Sequence, residues 1–525
     1  MIATNAAARA AEARLFTGKA RLALAETLSA ATGWDRTYAG GALTYKGAWI
    51  VSGRRGRESE IAIGFEKRPP RWATPLSKLP KAVRDLDGMM LWVFRAVHEV
   101  CAALRDALPF LSPQPVGSRP SFGFGDRTGL AMPGHVAALK GSKFFPVFAQ
   151  QSIREMGRTQ RTPDEVMDAA TFGALQCGYT KGFGADADHL KTAQDIDRTA
   201  AAGFVMFTLD SADVIVNPAG KDDAQLDAEY GKVLAEVPEA RKWEKQYAGK
   251  TFTFRGRGAA FAIEFDAATW RAALVKFGRV VIHSAELAAR VKRAKKGRPF
   301  EIEIAVDETP VDTTLADHVF IVRELKKRGV AVAAFAAKFV GDFEKGVDYK
   351  GDKAAFERSM ERHDAVARAQ GGYKLSVHSG SDKFSIYPAI ARATRGRFHL
   401  KTAGTSWMEA VRTVCRKDPA LFREMVDFAR EQFRKDRASY HISGAPDQVP
   451  PPTALRDADL ERVYVVEDAG RQIMHVTYGS LLTARTEQGW RFRDRILDLL
   501  VREEETHHAC LARHFGRHLA PLRGR

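Results

Sequence analysis

Polar residues that could bind a metal ion or transfer protons follow short apolar runs between residues 121 and 402. They are Asp126, Gln150, Asp188, His189, Asp210, Asp307, Glu308, His378 and Lys401. Imidazoles and carboxylates bind divalent cations that keep open positions for a substrate, and carboxylates also serve as general acids and bases. One such residue after one run is weak evidence, but the repetition along the chain indicates a shared site.

Eight apolar runs have the length of buried strands and would position these residues. The runs cover 121–126, 146–152, 179–188, 203–210, 300–308, 330–340, 373–379 and 397–402. Helical periodicity separates most of them, for example over 162–175, 314–328 and 353–370. Alternating strands and helices predict parallel βα units, and eight units predict an α/β fold of the (β/α)8 TIM-type barrel class. Active-site residues of that fold lie at the carboxyl ends of the strands.

Strand alternation predicts which side chains point into the barrel. Successive side chains face opposite sides of a strand, so Glu303 and Asp307 point inward, as do His378 and Lys401. Buried charges need a bound cation, a substrate or opposite charges to offset the loss of hydration. We therefore predict a divalent metal ion inside the barrel mouth, with ligands drawn from His189, His378, Glu303 and Asp307.

Three regions are predicted along the chain. Residues 1–115 form an N-terminal α+β cap, with one helix to about Leu28 and another from Lys81 to Leu108. Residues 116–440 form the barrel, and a long insertion after the fourth strand, 211–298, is expected to lie over the active face.

Residues 441–525 are predicted to form a helical C-terminal extension. Its last helix is expected to run from Trp490 to about His518. The helix carries His507, His508, His514 and His518, most of them flanked by Arg or Glu. We interpret these imidazoles as a solvated surface.

Composition narrows the functional classes. No apolar run approaches the roughly 18 residues that cross a bilayer, and four cysteines far apart suggest reduced thiols in a cytoplasmic protein. The net charge of +17 is dispersed rather than interleaved with aromatic residues, which favours small anionic substrates over nucleic acid. A homo-oligomer remains one option for the assembly.

Several long strings across residues 121–420 carry a family resemblance. They include Gly-Ala-Asp-Ala-Asp-His-Leu-Lys-Thr at 184–192, Phe-Glu-Lys-Gly-Val-Asp-Tyr at 343–349, His-Ser-Gly-Ser-Asp-Lys-Phe at 378–384 and Phe-His-Leu-Lys-Thr-Ala-Gly-Thr-Ser-Trp at 398–407. With these strings the chain resembles the tagaturonate epimerase family, bacterial barrel isomerases that interconvert tagaturonate and fructuronate in hexuronate breakdown.

The resemblance implies a divalent cation, such as Zn, Mn, Ni or Co, and a division of roles. Asp188 would be the base, Glu303 the opposing acid, and His189 and His378 metal ligands, with Asp307 as our choice for the third. The candidates for binding the anionic substrate are Arg127, Gln150, Ser152, Lys383 and Lys401. Ala187 stands where we expect Gly, and this departure bears on the identity of the substrate.

The chemistry of such a substrate favours a retro-aldol route. The two keto-uronates differ at the carbon β to the ketone, whose hydrogen is not acidified by enolisation. Removal of the hydroxyl proton at that carbon, cleavage of the adjacent C–C bond and re-addition to the other aldehyde face would invert it. Two alternatives remain: a metal-dependent aldolase or epimerase of another sugar acid, and a non-enzymatic basic protein that binds anionic polymers.

Overall fold

Eight parallel strands close into a barrel in the computed structural model of the chain, which describes residues 13–86 and 88–523. The strands are β8 (Ser121–Gly125), β9 (Phe145–Ser152), β10 (Gly184–Leu190), β11 (Met206–Asp210), β14 (Glu301–Ala305), β15 (Val332–Ala336), β16 (Lys374–Val377) and β17 (Phe398–Thr402). Neighbours in the barrel are neighbours in sequence, and β17 pairs with β8 to close the ring. The predicted (β/α)8 barrel and all eight of its strands are confirmed.

Helices follow the strands and form the outer layer of the barrel. They are α3 (Met132–Ala138), α4 (Ile153–Thr159), α5 (Pro163–Cys177), α6 (Ala193–Ala202), α9 (Ala267–Lys295), α10 (Leu315–Lys327), α11 (Lys353–Ala369), α12 (Tyr387–Ala393) and α13 (Thr405–Lys417). Thr162, Thr192 and Thr314 each cap a helix, because the hydroxyl accepts the N–H of an acidic residue three positions on. That acidic side chain accepts the N–H of the threonine in return, so both ends of the capping box are satisfied.

The insertion after the fourth strand lies on the outside of the barrel, contrary to our expectation. It contains α7 (Asp223–Glu236), α8 (Ala240–Tyr247) and the hairpin β12–β13 (Lys250–Arg255 and Ala260–Phe265) before α9. The 29-residue α9 packs on α6 and α10, and the hairpin packs on α10 and α11. Buried aromatic side chains such as Trp243, Tyr247 and Trp270 hold the insertion against Phe320 of α10, so it thickens the outer layer instead of covering the mouth.

The N-terminal region is a sheet with two helices. Antiparallel strands β1 (Ala13–Leu15), β2 (Arg36–Thr37), β3 (Leu43–Tyr45), β4 (Ala48–Arg55), β5 (Glu58–Glu66), β6 (Ala82–Leu86) and β7 (Met89–Arg95) accompany α1 (Gly18–Thr32) and α2 (His98–Ala107). The predicted helix over 81–108 is therefore wrong in its first half, where β6 and β7 form a hairpin. Gly88 turns that hairpin at φ +89°, and the aromatic and β-branched run that follows favours a strand.

The chain after the barrel is helical and shares a second hydrophobic core with α13. Helix α14 (Pro419–Asp436) precedes the C-terminal extension, which comprises α15 (Asp457–Glu461), α16 (Asp468–Val476), α17 (Tyr478–Thr483), α18 (Arg493–Arg502) and α19 (Glu504–Leu522), with a small hairpin of β18 (Arg485–Thr486) and β19 (Gly489–Trp490). The single predicted helix from Trp490 to His518 is two helices, separated at Glu503. Leu511, Phe515 and Leu519 of α19 lie in the main core.

Candidate active site

A cavity opens at the carboxyl ends of the barrel strands. Of the ten residues to which the sequence analysis assigns a role, eight line it: Arg127, Gln150, Ser152, Asp188, His189, His378, Lys383 and Lys401. Asp307 lines the adjoining cavity, and Glu303 lies beneath the floor, fully buried.

Lys401 forms the floor of the cavity with three carboxylates. Its ammonium nitrogen lies 2.7 Å from Asp186 Oδ2, 2.8 Å from Asp188 Oδ1 and 2.7 Å from Glu303 Oε1, and it donates to the Thr208 hydroxyl. Lys401 is 1% exposed, so water does not screen these charges. The strand alternation that turned Lys401 inward also brings β10, β11, β14 and β17 to this one nitrogen.

Two of the three carboxylates are ionised. Burial is the largest influence and raises the pKa values of Asp188 and Glu303, but Lys401 and the neighbouring imidazoles together outweigh it, so the net shift of both pKa values is downward. Burial dominates at Asp186 and raises the pKa of its carboxyl to about 7. Asp188 alone of the three lines the cavity, so it is the carboxylate that can accept a proton from a ligand.

His189 is oriented by Asp210. Asp210 Oδ2 lies 3.0 Å from His189 Nδ1, while His189 Nε2 faces Asp188 Oδ1 at 3.8 Å. The residue adopts a left-handed backbone conformation at φ +54°, unusual for a residue other than glycine, where the β10 ladder changes register. A carboxylate on one ring nitrogen leaves the other free for a ligand.

His378 lies between two carboxylates. Its Nε2 contacts Glu303 Oε1 at 2.5 Å, and its Nδ1 lies 3.0 Å from Asp307 Oδ1. These two atoms form a buried ion pair, and neither makes a hydrogen bond that meets the geometric criteria with a described residue. A metal ion would satisfy both atoms in place of the imidazole proton.

The donor set therefore fits a divalent cation. Asp188, His189 and His378 each offer a ligand atom within 4.8 Å of the others, and a second such group joins His189 to Asp210 and Glu308. Imidazole nitrogens with carboxylate oxygens suit Zn, Mn, Ni or Co. Asp307, the predicted third ligand, contacts His378 but belongs to neither group, whereas Asp188 completes the first one.

The carboxylates around His189 and His378 raise the pKa values of both imidazoles. Burial lowers the pKa of His189, but Asp188 and Asp210 outweigh it and raise it to about 9. Burial is likewise outweighed at His378, where Asp307 and Glu303 raise the pKa to about 10. Carboxylates that hold two extra protons are equally suited to hold a cation, which would have to displace those protons.

Arg127, Gln150 and Ser152 form another wall of the cavity. Arg127 is bound to Glu155 through Nε and Nη2 and stacks on the ring of Tyr478 at 3.5 Å, and its Nη1 has no partner among the described residues. Gln150 Nε2 lies 3.4 Å from Asp188 Oδ2, and Ser152 caps α4. Arg127 and Gln150 thus retain free hydrogen-bonding atoms.

Lys383 lines the cavity but is fully engaged elsewhere. Its ammonium donates to the carbonyl oxygens of Glu344, Val347 and Ser381, which hold the loop after β16 against the loop after β15. Burial also lowers the pKa of Lys383 to about 7. Its contacts are those of a residue that fixes two loops.

Sequence reasoning missed several residues at the site, among them Asp186 beside Lys401, and Arg154, Lys345, Tyr440 and His475 on the cavity wall. Alternation along β10 could have identified Asp186, which lies two positions before Asp188. Tyr440 and His475 come from the region after the barrel, where no local pattern indicates a position near the mouth.

The histidines of α19 are not the solvated surface that we predicted. His507, His514 and His518 are at most 7% exposed, because α19 packs on the barrel. His514 Nε2 lies 2.6 Å from Asp382 Oδ1, and His518 Nε2 accepts the N–H of Asp382. Asp382, His514 and His518 could surround an ion, but Arg471 already donates to Asp382 and supplies the positive charge.

An eight-stranded parallel barrel with ionised carboxylates, imidazoles and a lysine at its carboxyl mouth defines a (β/α)8-barrel enzyme. Residues 71–522 match the family model described as tagaturonate epimerase. The chain belongs to the tagaturonate epimerase family and is an epimerase, of the isomerase class.

A curated relative and two crystal structures are similar to this chain over most of its length. Tagaturonate/fructuronate epimerase of Thermotoga maritima is 41% identical over 439 residues, which cover 83% of this chain and 88% of that protein. The native crystal structure of fructuronate-tagaturonate epimerase UxaE from Cohnella laeviribosi matches with a TM-score of 0.85 and 35% identity, over 95% of this chain and 99% of that one. A glycerol complex of the same protein matches with the same TM-score and identity, over 96% and 99% of the two chains.

These matches exclude the catalytically silent alternative, a basic protein that binds anionic polymers. Among the described residues, no helix combines the length and apolar character needed to cross a membrane.

Proposed function

We propose that this protein interconverts D-tagaturonate and D-fructuronate by inverting the carbon β to the ketone. The relatives with this printed activity and the cationic side chains that line the cavity both support the substrate assignment. One observation carries the mechanism: Asp188 is the ionised carboxylate of the Lys401 cluster that a ligand in the cavity can touch.

Asp188 acts in this proposal as the base. It takes the hydroxyl proton at the carbon to be inverted, and the C–C bond toward the ketone breaks to give an aldehyde and an enediolate. The aldehyde turns its other face, the C–C bond re-forms, and the new alkoxide takes back a proton. One proton leaves and one returns, so the reaction needs no oxidant and no net acid or base.

Glu303 has a positioning role in this geometry. It is fully buried beneath the cavity, bound to His378 and Lys401, so the opposing proton transfer expected of it would pass through His378. A carboxylate on the far nitrogen of a ligating imidazole fixes the ring and its tautomer. Glu303 on His378 and Asp210 on His189 have this relation.

His189 Nε2, His378 Nδ1 and Asp307 Oδ1 would hold the divalent cation in this proposal. This choice uses the atoms of His378 and Asp307 that already face each other at 3.0 Å and leaves Asp188 free as the base. A divalent cation bound there would supply positive charge beside the ketone and hydroxyl oxygens of the substrate.

Proton NMR of the reaction in D2O tests the proposal. D-Tagaturonate should yield D-fructuronate, with one inverted centre and with hydrogen, not deuterium, on the inverted carbon. Two accumulating fragments would favour an aldolase, unchanged keto-uronate would reject the substrate, and deuterium at the inverted carbon would reject the retro-aldol route. A chelator should abolish the conversion and added divalent cations should restore it.

A further inference from the structure

His475 lies at the active site although it belongs to the C-terminal extension. The side chain, on α16, lines the cavity while the residue is 3% exposed, and neither ring nitrogen has a hydrogen-bond partner among the described residues. A buried polar group without a partner is costly, because its hydration is lost without replacement. Such a group at a ligand cavity indicates that the ligand supplies the partner.

Two glycines make room for the His475 ring. A Cβ atom on Gly404 would lie 2.0 Å from His475 Nε2, and one on Gly346 would lie 3.0 Å from His475 Cδ2. Gly404 has φ −96°, a conformation open to any residue, so its backbone does not require glycine. Its small size is therefore needed for the close approach of the imidazole.

Gly404 is also the N-cap of α13, and no side chain caps that helix. The N-terminus of a helix carries unsatisfied N–H groups and partial positive charge, which favour an anion. The hydroxyl of Thr405, the first residue of α13, is buried and has no described partner.

Arg127 completes this wall of the cavity. Arg127 is 4% exposed. Two of its guanidinium nitrogens bind Glu155, and the third, Nη1, has no partner among the described residues. The other lysines and arginines of the cavity have partners: carboxylates for Lys401, carbonyl oxygens for Lys383, Glu308 for Arg154 and the Ser379 hydroxyl for Lys345.

His475 is neutral in this environment and can donate one hydrogen bond to an anion. Burial, Arg127 and Arg471 lower the pKa of the imidazole well below its ordinary value, so the ring is neutral. A neutral imidazole has one N–H to donate and one nitrogen that accepts.

We propose that Arg127, His475 and the N-terminus of α13 form the subsite that binds the carboxylate of the substrate. β8, which precedes Arg127, lies two strands from β10, which bears Asp188 and His189, and β17, which precedes Gly404, is the neighbour of β16, which leads to His378. The carboxylate of a six-carbon keto-uronate bound there would thus lie beside the proposed base and metal ligands. This inference rests on the proposed function for the identity of the anion, and it makes the C-terminal extension part of the active site.

Equilibrium binding separates the subsite from the catalytic proposal. The probes are D-galactonate, a six-carbon acid without a ketone, and galactitol, its neutral counterpart. Calorimetry with the metal-loaded wild-type protein should show tighter binding of D-galactonate. His475→Phe should weaken D-galactonate binding by about tenfold or more and leave galactitol binding unchanged, whereas His475→Gln, which retains an N–H, should recover most of the loss.

Gly404→Ala provides a second approach to the same ring, since its methyl group must displace His475. It should weaken D-galactonate binding to a similar extent. His98→Gln, on α2 of the N-terminal sheet region with a side chain 44% exposed, is the control and should bind both probes as the wild type does.

Equal affinity of the wild type and of a folded His475→Phe or Gly404→Ala variant for D-galactonate would overturn the subsite. Equal losses for D-galactonate and galactitol would also overturn it, because a carboxylate site must discriminate between them. Failure of the NMR conversion with intact D-galactonate discrimination would reject the proposed reaction and leave the carboxylate subsite standing.

Discussion

At the scale of single residues, the site depends on how one lysine distributes charge. Lys401 holds Asp186, Asp188 and Glu303 around a single nitrogen and, together with the neighbouring imidazoles, keeps the last two ionised against the effect of burial. The barrel contains a second buried lysine, Lys374 of β16, that serves as an internal comparison. It donates to the Ser121 hydroxyl and the Arg119 carbonyl, and burial lowers its pKa to about 8.

Lys401→Met should therefore be far more damaging than Lys374→Met. The first change leaves three buried carboxylates without a cation and should cost about 3–5 kcal/mol in the free energy of unfolding, together with turnover. The second removes a cation that burial already disfavours, so its cost should be smaller. Urea unfolding and initial rates of both variants measure the difference, and equal losses would contradict the role given to Lys401.

At the scale of elements, the C-terminal helices hold the loops that carry the site. Asp382, in the loop after β16, accepts hydrogen bonds from Arg471 of α16 and contacts His514 of α19, and its N–H donates to His518. Arg471 also donates to the Gly346 carbonyl, in the loop after β15. These contacts fix the loops that bear His378, Lys345 and Lys383.

Asp382→Ala should destabilise the protein by about 3–5 kcal/mol and lower turnover. The change leaves Arg471 buried without its carboxylate and removes a residue that holds a left-handed backbone at φ +60°. Asp494→Ala breaks an ion pair with Arg57 in which both side chains are 44% exposed, and it should cost less than about 1 kcal/mol. Thermal unfolding and kcat of both variants measure the difference. An Asp382→Ala protein as stable as Asp494→Ala would contradict the role of the Arg471–Asp382 ion pair in stability.

The elements also show what the sequence could predict. The barrel strands, and the inward direction of Glu303, His378 and Lys401, followed from periodicity because alternation is a local property of a strand. The apolar run of the β6–β7 hairpin is also compatible with the predicted helix, although the Asp-Gly pair at 87–88 is a turn signal for a hairpin. The position of the insertion, the burial of His514 and the approach of His475 to Gly404 depend on how distant segments dock, which no local pattern records.

At the scale of the whole molecule, many imidazoles are buried in their neutral form. Tyr373 lies 2.7 Å from His318 Nε2, and His318 Nδ1 lies 2.9 Å from His363 Nδ1, so the two rings share one hydrogen bond. Burial lowers the pKa of His363 to about 4. His399, His507 and His518 have pKa values lowered to about 3 for the same reason.

The protein should therefore lose stability as the pH falls below about 6.5, the ordinary pKa of histidine. The unfolded chain binds protons there that the folded chain rejects, so His363 alone should contribute about 3 kcal/mol of loss between pH 6.5 and pH 4 and none above pH 6.5. Scanning calorimetry over that range measures the slope. His363→Gln should make it shallower, and an unchanged slope would contradict the assignment of His363 as a neutral buried group.

The separation of the base from the metal site is the central claim, and the Asp188→Asn variant tests it most directly. Metal analysis and kcat are measured on the same purified sample, beside Asp307→Asn. We predict that Asp188→Asn keeps the wild-type metal content and loses about 10²–10⁴-fold in kcat, whereas Asp307→Asn loses metal. Wild-type turnover in Asp188→Asn, or loss of its metal, would contradict the assignment of Asp188 as the base.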